Sequence, residues 1–451
     1  MTTLARRIAH WVNAASYDEL PSQTVHETKR RVLDSIGCAL GAYKSAPARI
    51  ARELAQDVHD AQGATVWGTS HKSRPDYAAF ANGAMVRYLD FNDTYLSLEP
   101  AHPSDNIPVA VAVAEATGQG GKAAILASVI AYEIQCRQCD AASLRAHGWD
   151  HVVYGALSSS LAAGKLWGLD EEQLEHALGI AGVCNIATRQ TRTGQLSMWK
   201  ACAFSNAGRN GIFAADLARR GMTGPHEIYE GPKGVFAQLT GPFDLVLGQN
   251  GDYMIDKTYI KYWPAEYHSQ SAIDAILQLR PEIGGRKVEA IEIRSFEAAV
   301  SIIGSEPEKW RPTSRETADH SMPYCVAVAL LDGDVTLSSF DESRLNDPRV
   351  LDLLDRISIK EDPELNESYP LGIPNHLIVT LDDGSIVEKR VDFPRGHAQN
   401  PMTDDEVIAK FRKLAEGVVT DATAGSIIKA CMELESLTDL SSLFSFPMIE
   451  N

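Results

Sequence analysis

Five separated stretches set titratable side chains among apolar or small neighbours, a composition that can move protons or hold an anion. In MVRYLDFNDTYLSLEPAHPSDNIPVAVA an apolar run enters Asp90, Asn92, Asp93 and Thr94. His102, Ser104, Asp105 and Asn106 follow before a second apolar run. Asp90 and Asp93 are three apart and share a face if a helix continues through them. Two readings stand: these residue types cap helices, and polar density between two apolar segments also builds the wall of a site. HGWDHVVYGALSSSLAAGK carries His147 and His151 four apart, the spacing of a helical metal pair. No third ligand accompanies them, so His151 reads as a proton-transfer group, a substrate contact or a packed histidine. RQTRTGQLSMWKACAFSNAGRNG sets Arg189, Arg192 and Lys200 among uncharged residues just before a helix. Such cations suit carboxylates, Arg as a bidentate fork and Lys as a point charge; the alternative is snorkelling at the surface. IKYWPAEYHSQSAID adds Lys261 and His268, and RETADHSMPYCVAVALLDG adds Asp319, His320 and Tyr324. For these two stretches helix capping and loop polarity are the competing readings.

Other chemistries lose support. GQGGKAA, around Lys122, lacks the spacing and the Ser/Thr of a phosphate loop, and no GxGxxG follows a strand. Neither HExxH nor a GxSxG elbow occurs. Cys136 and Cys139 form one CxxC, but zinc needs about two more ligands and no second CxxC exists. An iron–sulfur centre would need a third thiolate, for which Cys184 and Cys202 are nearest in sequence; buried packing is the default for such cysteines. Seven cysteines, an odd number, do not form a disulfide framework. The expected metal and cofactor content is none.

The elements that must position these residues fall in two zones. Up to about residue 245 the chain is rich in Ala and Gly with helical periodicity, as in Val32–Ala42, Tyr77–Leu89, Ile107–Ala116, Ala123–Gln135 and Ala207–Arg219. Leu4, Ile8, Trp11 and Val12 mark a first amphipathic helix, a better reading of Arg6 and Arg7 than a transit peptide. In GKLWGLDEEQLEHALGIAG, Gly168 suits a helix C-terminal cap and Asp170, with Gln173, an N-terminal one. Later, KVEAIEIRSF alternates as a strand, and HLIVTLDDGSIVEKRV reads as a hairpin turning at Asp382–Ser385. A helix, Pro323–Leu331, lies between them, and the tail returns to helix at Asp404–Leu414. On that helix Lys410 reads as an exposed partner of Glu406. The expected fold is mainly α: a large all-helical domain from 1–267 and 402–451, and a smaller α+β domain at 268–401. The 451 residues carry 42 basic and 60 acidic side chains, a net charge of −18. That balance argues against nucleic-acid or anionic-membrane partners. No apolar run reaches the roughly 18 residues of a membrane span; a cytoplasmic protein is expected.

The strings LDFNDT and HPSDN, GWDHV, QTRTG and MWK, KYWPAEYHSQ and TADHSMPY occur in that order. With the ending FPRGHAQNPMTDDEVIAKF they resemble the MmgE/PrpD family of 2-methylcitrate dehydratases and cis-aconitate decarboxylases over nearly the whole chain. The resemblance implies that the α+β domain is a lid, that the protein is a homodimer, and that the site lies between the domains and works without metal or iron–sulfur. The implied site positions are Asp90, Thr94, His102, His151, Lys200, Lys261 and Tyr324; the polar clusters themselves add Asp93, Arg192, His268 and His320 as candidate substrate contacts. The gap YLSLEPA before His102 is longer than in the decarboxylase branch, and HPSDN replaces that branch's HPSG, which favours a dehydratase. The implied reaction is loss of water from 2-methylcitrate or a citrate-like tricarboxylate, in propionate catabolism. It needs a base, an acid for the leaving hydroxide and cations for the carboxylates. His102 and His151 would exchange protons, Lys200, Lys261 and Arg192 would hold carboxylates, Tyr324 would donate a hydrogen bond, and Asp90 would orient a cation. A decarboxylase or epimerase on a related acid, and a catalytically silent tricarboxylate binder, are the alternatives.

Overall fold

The structure, a computed structural model, describes residues 2–185, 187–194, 196–248, 251–444 and 446–449. The chain is mainly α and divides into two compact units. Unit 1 comprises Met1–Gly194, Met198–Thr258 and Thr403–Asn451; unit 2 comprises Gln195–Ser197 and Tyr259–Met402.

Unit 1 is built from helices, with one short antiparallel pair, β1 (Ala64–Thr65) and β2 (Lys72–Ser73). Its first helix, Leu4–Ala14, buries Leu4, Ile8 and Val12, as the apolar spacing requires. Gly168 takes a left-handed φ of 67°, and Asp170 and Gln173 form a reciprocal capping box on the helix Glu171–Cys184. Small residues let the helices Val152–Leu166 and Trp199–Arg219 approach closely. A Cβ on Gly155 would lie 2.3 Å from the Phe204 ring, and one on Gly211 would lie 2.7 Å from Ser159 Cβ. Val152, Ala156, Ala203, Phe204 and Ala207 fill that contact, and it fixes the helix that carries Lys200.

The tail helix Asp404–Ala415 packs on Ser22–Ala42, with Phe411 and Leu414 over Gly37 and Gly41. Lys410 is not the exposed partner of Glu406 that its spacing predicts. It is buried, pairs with Asp34 at 2.6 Å, donates to the Phe91 carbonyl at 2.7 Å and sits over the Phe91 ring. Glu406 instead caps its own helix through Thr403.

Unit 2 holds a four-stranded sheet in the order β4–β3–β5–β6: β3 is Val288–Ser295, β4 Ile357–Glu361, β5 Asn375–Leu381 and β6 Ile386–Val391. β3 runs parallel to β4 and antiparallel to β5, and β5 and β6 form the expected hairpin, closed by Gly384 at φ 81°. Alternation on β5 buries Asn375, Leu377, Val379 and Leu381. The helices Gln270–Ile283 and Met322–Asp332 pack together in this unit. Among the described residues no helix is long and apolar enough to cross a membrane.

Candidate active site

In unit 1 the helix Pro75–Tyr88 ends just before Asp90. Asp90 is the one non-glycine residue with a positive φ among those described, at 51°. Asp and Asn tolerate that region better than other side chains, and strained backbone of this kind concentrates at functional sites. The turn breaks the helix, so Asp90 and Asp93 do not share a helical face. Asp90 instead folds back on Arg87, in the last helical turn, and pairs with it. Its carboxylate also lies 3.5 Å from Lys200 Nζ and 3.9 Å from His102 Nε2. Lys200 stands inside the first turn of Trp199–Arg219, since that helix begins earlier than its Ala-rich part predicts. The residue is 5% exposed.

Asp93 and Thr94 brace this arrangement from behind. The Asp93 carboxylate accepts the Ser104 N–H at 2.8 Å and the Tyr132 hydroxyl at 2.7 Å, and faces Arg31 at 3.6 Å. Thr94 donates to the Ala101 carbonyl, which with the Tyr95–Ala101 bridge closes the loop on His102. His102 Nδ1–H donates to the Asp93 carbonyl at 2.9 Å, which turns Nε2 toward Asp90.

His151 faces His102 edge-on, with ring centroids 5.8 Å apart. It precedes the helix Val152–Leu166, whereas His147 ends a separate short turn and is exposed, so the pair four apart does not sit on one helix. His151 is 4% exposed, and neither ring nitrogen makes a hydrogen bond among the described residues. The nearest carboxylate, Asp150 Oδ1, is 3.6 Å away and is held by Arg192 Nε, which lies 3.0 Å from Asp150 Oδ2. Burial first, then the charge of Arg192, pushes the His151 imidazole down to about 3, against the opposing pull of Asp150. It is neutral at physiological pH. A buried, neutral imidazole with both nitrogens unbonded is an expensive group to keep unless a ligand completes it.

Behind the histidines, Asn92 donates to Ser104 and to Asp105 Oδ1, both at 2.9 Å, and Arg87 Nε is 3.8 Å from Asp105 Oδ2. Burial drives the Asp105 carboxyl up to about 7, although Arg87 draws it down. Arg87 and Asp150, like Arg31 and Tyr132 on Asp93, are members of this network that residue types alone did not single out. Arg87 stands three before Asp90 and Asp150 stands beside His151, so helical spacing and adjacency were the available signals.

Unit 2 gathers a second set. Lys261 is fully buried in the chain between the turns Met254–Lys257 and Tyr267–Ser269. His268 Nδ1 meets Glu266 Oε1 at 2.7 Å, and its ring packs on Phe296 and Tyr369. The Glu266 N–H donates to the Asp319 carbonyl, and His320 Nδ1 lies 2.5 Å from Asp319 Oδ1. Burial would raise Glu266, but His268, His320 and Lys261 outweigh it and hold the carboxyl down to about 2. Tyr324 leaves this group: its hydroxyl donates to the Ser339 carbonyl at 2.7 Å, inside the unit. Cys136 and Cys139 are buried in the helix Gly121–Ala141, and burial pushes both thiols well above their ordinary range.

Comparison with known proteins finds two family models along the chain. The MmgE/PrpD N-terminal domain matches residues 6–247 and the MmgE/PrpD C-terminal domain matches residues 263–434. The chain belongs to the MmgE/PrpD family. It is 33% identical to the 2-methylcitrate dehydratase of Cupriavidus necator, over 84% of this chain and 83% of that protein. It is 29% identical to the 2-methylcitrate dehydratase of Escherichia coli K12, over 90% of this chain and 89% of that one. It is 28% identical to the human cis-aconitate decarboxylase, over 98% of this chain and 94% of that one.

Proposed function

We propose that the chain is a carbon–oxygen lyase that removes water from 2-methylcitrate or a citrate-like tricarboxylate, without an iron–sulfur cluster. The observation that carries this reading is the pair of histidines 5.8 Å apart, with Lys200 at 3.5 Å from Asp90 beside them. Dehydration needs one group that takes a proton from carbon and another that gives one to the departing hydroxide. His151, neutral through burial and its nitrogens unbonded, suits the base. His102 has the Asp90 carboxylate within 3.9 Å of Nε2 to balance an imidazolium, so it suits the acid. Lys200 and Arg192 are placed to meet carboxylates, and Lys261 is proposed as a further cation for a substrate with three of them. Asp90, held by Arg87, keeps Lys200 and His102 in position.

A second reading, decarboxylation of a cis-aconitate-type acid, is favoured by the match to the human decarboxylase over 98% of the chain. The same histidines would then protonate a carbanion left by carbon dioxide. A homodimer is also proposed, supported by the exposed apolar side chains Val183, Met198, Trp199 and Phe213 on unit 1. A cytoplasmic setting is proposed on the company of the bacterial relatives. The test is a product assay with 2-methylcitrate, citrate and cis-aconitate, with and without a chelator. Unsaturated tricarboxylate formed from 2-methylcitrate in both conditions supports the proposal. Loss of activity on chelation, restored by iron, overturns its metal-free part; carbon dioxide from cis-aconitate as the main product selects the second reading.

A further inference from the structure

Acidic side chains outnumber basic ones by 60 to 42 in this chain, yet five cations converge on one cavity of about 700 Å³ in unit 2. Arg280, Arg286, Lys287, Arg349 and Arg356 line it, with Asp352 as the one acid. They come from two separated segments, and Ile283, Leu330 and Leu353 contribute apolar surface between them. Part of the positive charge is used within the unit. Arg286 donates to the carbonyls of Ile283 and Glu282 and pairs with Asp383; Arg356 pairs with Asp352; Arg349 pairs with Asp347. Two cations keep open capacity. The Lys287 side chain has no hydrogen-bond or ion-pair partner among the described residues, and the Arg280 side chain uses only Nε, on the Leu330 carbonyl.

The cavity is far from the histidines of its own unit. The helices Gln270–Ile283 and Met322–Asp332 both end at it, and their other ends adjoin His268 and His320. At about 1.5 Å per residue the first helix sets the cavity roughly 20 Å from His268. Both helices present their C-terminal ends here, whose partial charge is negative, so the side-chain cations reverse the local field and recognition cannot rest on a helix N-terminus.

We propose that this cavity binds an organic polyphosphate of the nucleoside triphosphate class. With Asp347 and Asp383 paired to Arg349 and Arg286, and Asp352 to Arg356, the local excess is two positive charges, carried by Lys287 and Arg280; a polyphosphate meets that excess, and the aliphatic surface accepts an organic body. The volume falls in the range of sites for ligands of that size, about 300–1,000 Å³.

The experiment is calorimetric titration of the full chain with magnesium-free ATP, at low salt and at physiological ionic strength. Lys287→Glu and Arg349→Glu are the variants, since both side chains are exposed and neither supports the core. ATP is expected to bind at micromolar Kd, each variant to weaken it by about tenfold, and salt to weaken it further. Inorganic tripolyphosphate is expected to bind more weakly than ATP, and citrate not to displace it. Turnover of 2-methylcitrate without ATP is expected to be unchanged in both variants. No ATP binding, binding insensitive to both substitutions, equal affinity for tripolyphosphate, or displacement by citrate would each overturn the proposal.

Discussion

His151 in unit 1 and His268 in unit 2 are both buried, and they are held in opposite ways. His268 has a carboxylate 2.7 Å from Nδ1 and aromatic rings against its faces. His151 has a cation nearby, a carboxylate already taken by that cation, and among the described residues no hydrogen bond on either nitrogen. The first arrangement is complete without a ligand and the second is not. Two buried lysines differ in what they meet: Lys410 is sealed between Asp34 and Phe91, whereas Lys200 lies 3.5 Å from Asp90, a carboxylate that also faces His102. Burial alone does not distinguish a working group from a structural one; what remains unsatisfied does.

The largest effect is expected from breaking the histidine contrast. His151→Gln should lower kcat on 2-methylcitrate by about 10²–10⁴ while leaving the thermal midpoint near wild type. His268→Gln should do the reverse, lowering stability by about 1–3 kcal/mol because it disturbs the buried Glu266. Paired initial-rate and thermal-melt measurements check both, and exchanged outcomes would dissolve the distinction.

The lysine contrast comes next. Lys410→Ala leaves the Asp34 carboxylate buried without its ammonium and should destabilise by about 3–5 kcal/mol, read from urea unfolding. Lys200→Ala should retain stability within about 1 kcal/mol and lower kcat/KM at least about tenfold. Normal stability of Lys410→Ala would return that residue to the surface role its spacing with Glu406 predicts.

Lys410 shows where the sequence stops being informative. Caps, the hairpin and the first amphipathic helix depend on neighbours within a few residues, and Asp170, Gln173, Gly384, Leu4 and Ile8 all stand where local rules put them. The family motifs also brought Asp90, His102, His151 and Lys200 onto one short roster, and the structure gathers them in unit 1. Lys410 was misread because its partner, Asp34, lies on a helix almost the length of the chain away. The shared face of Asp90 and Asp93 holds only if the helix continues, and the left-handed turn at Asp90, which pairs back with Arg87 three residues before it, ends the helix instead.

Acid sensitivity gives a smaller, partly cancelling effect. His151 is held down to about 3 from an ordinary 6.5, so the unfolded chain binds its proton first. Its share of stability is present at neutral pH and is lost as pH falls from about 6.5 toward 3. Glu266, held down to about 2 from 4.5, has the same sign over a lower window. Asp105, raised from 3.8 to about 7, has the opposite sign, and its contribution is lost as pH rises through about 7. His151→Gln should therefore shift the acid midpoint of unfolding downward, and Asp105→Asn should remove the decline that Asp105 imposes between about pH 4 and 7. Urea midpoints measured across pH check both directions.

The smallest effect is expected at Tyr324, whose hydroxyl already donates to Ser339. Tyr324→Phe should cost about 1 kcal/mol of stability and keep kcat within about threefold of wild type. A loss of two decades in kcat at unchanged stability would give the hydroxyl the direct role that the family resemblance implies.

The central claim is that the cluster of Asp90, His102, His151 and Lys200 removes water from a tricarboxylate. The most direct measurement is proton and carbon NMR of 2-methylcitrate incubated with the enzyme. The account predicts an unsaturated tricarboxylate that keeps all of its carbons, at a rate that collapses in the folded His151→Gln variant. Release of carbon dioxide in step with substrate loss, or full turnover by that variant, would contradict it.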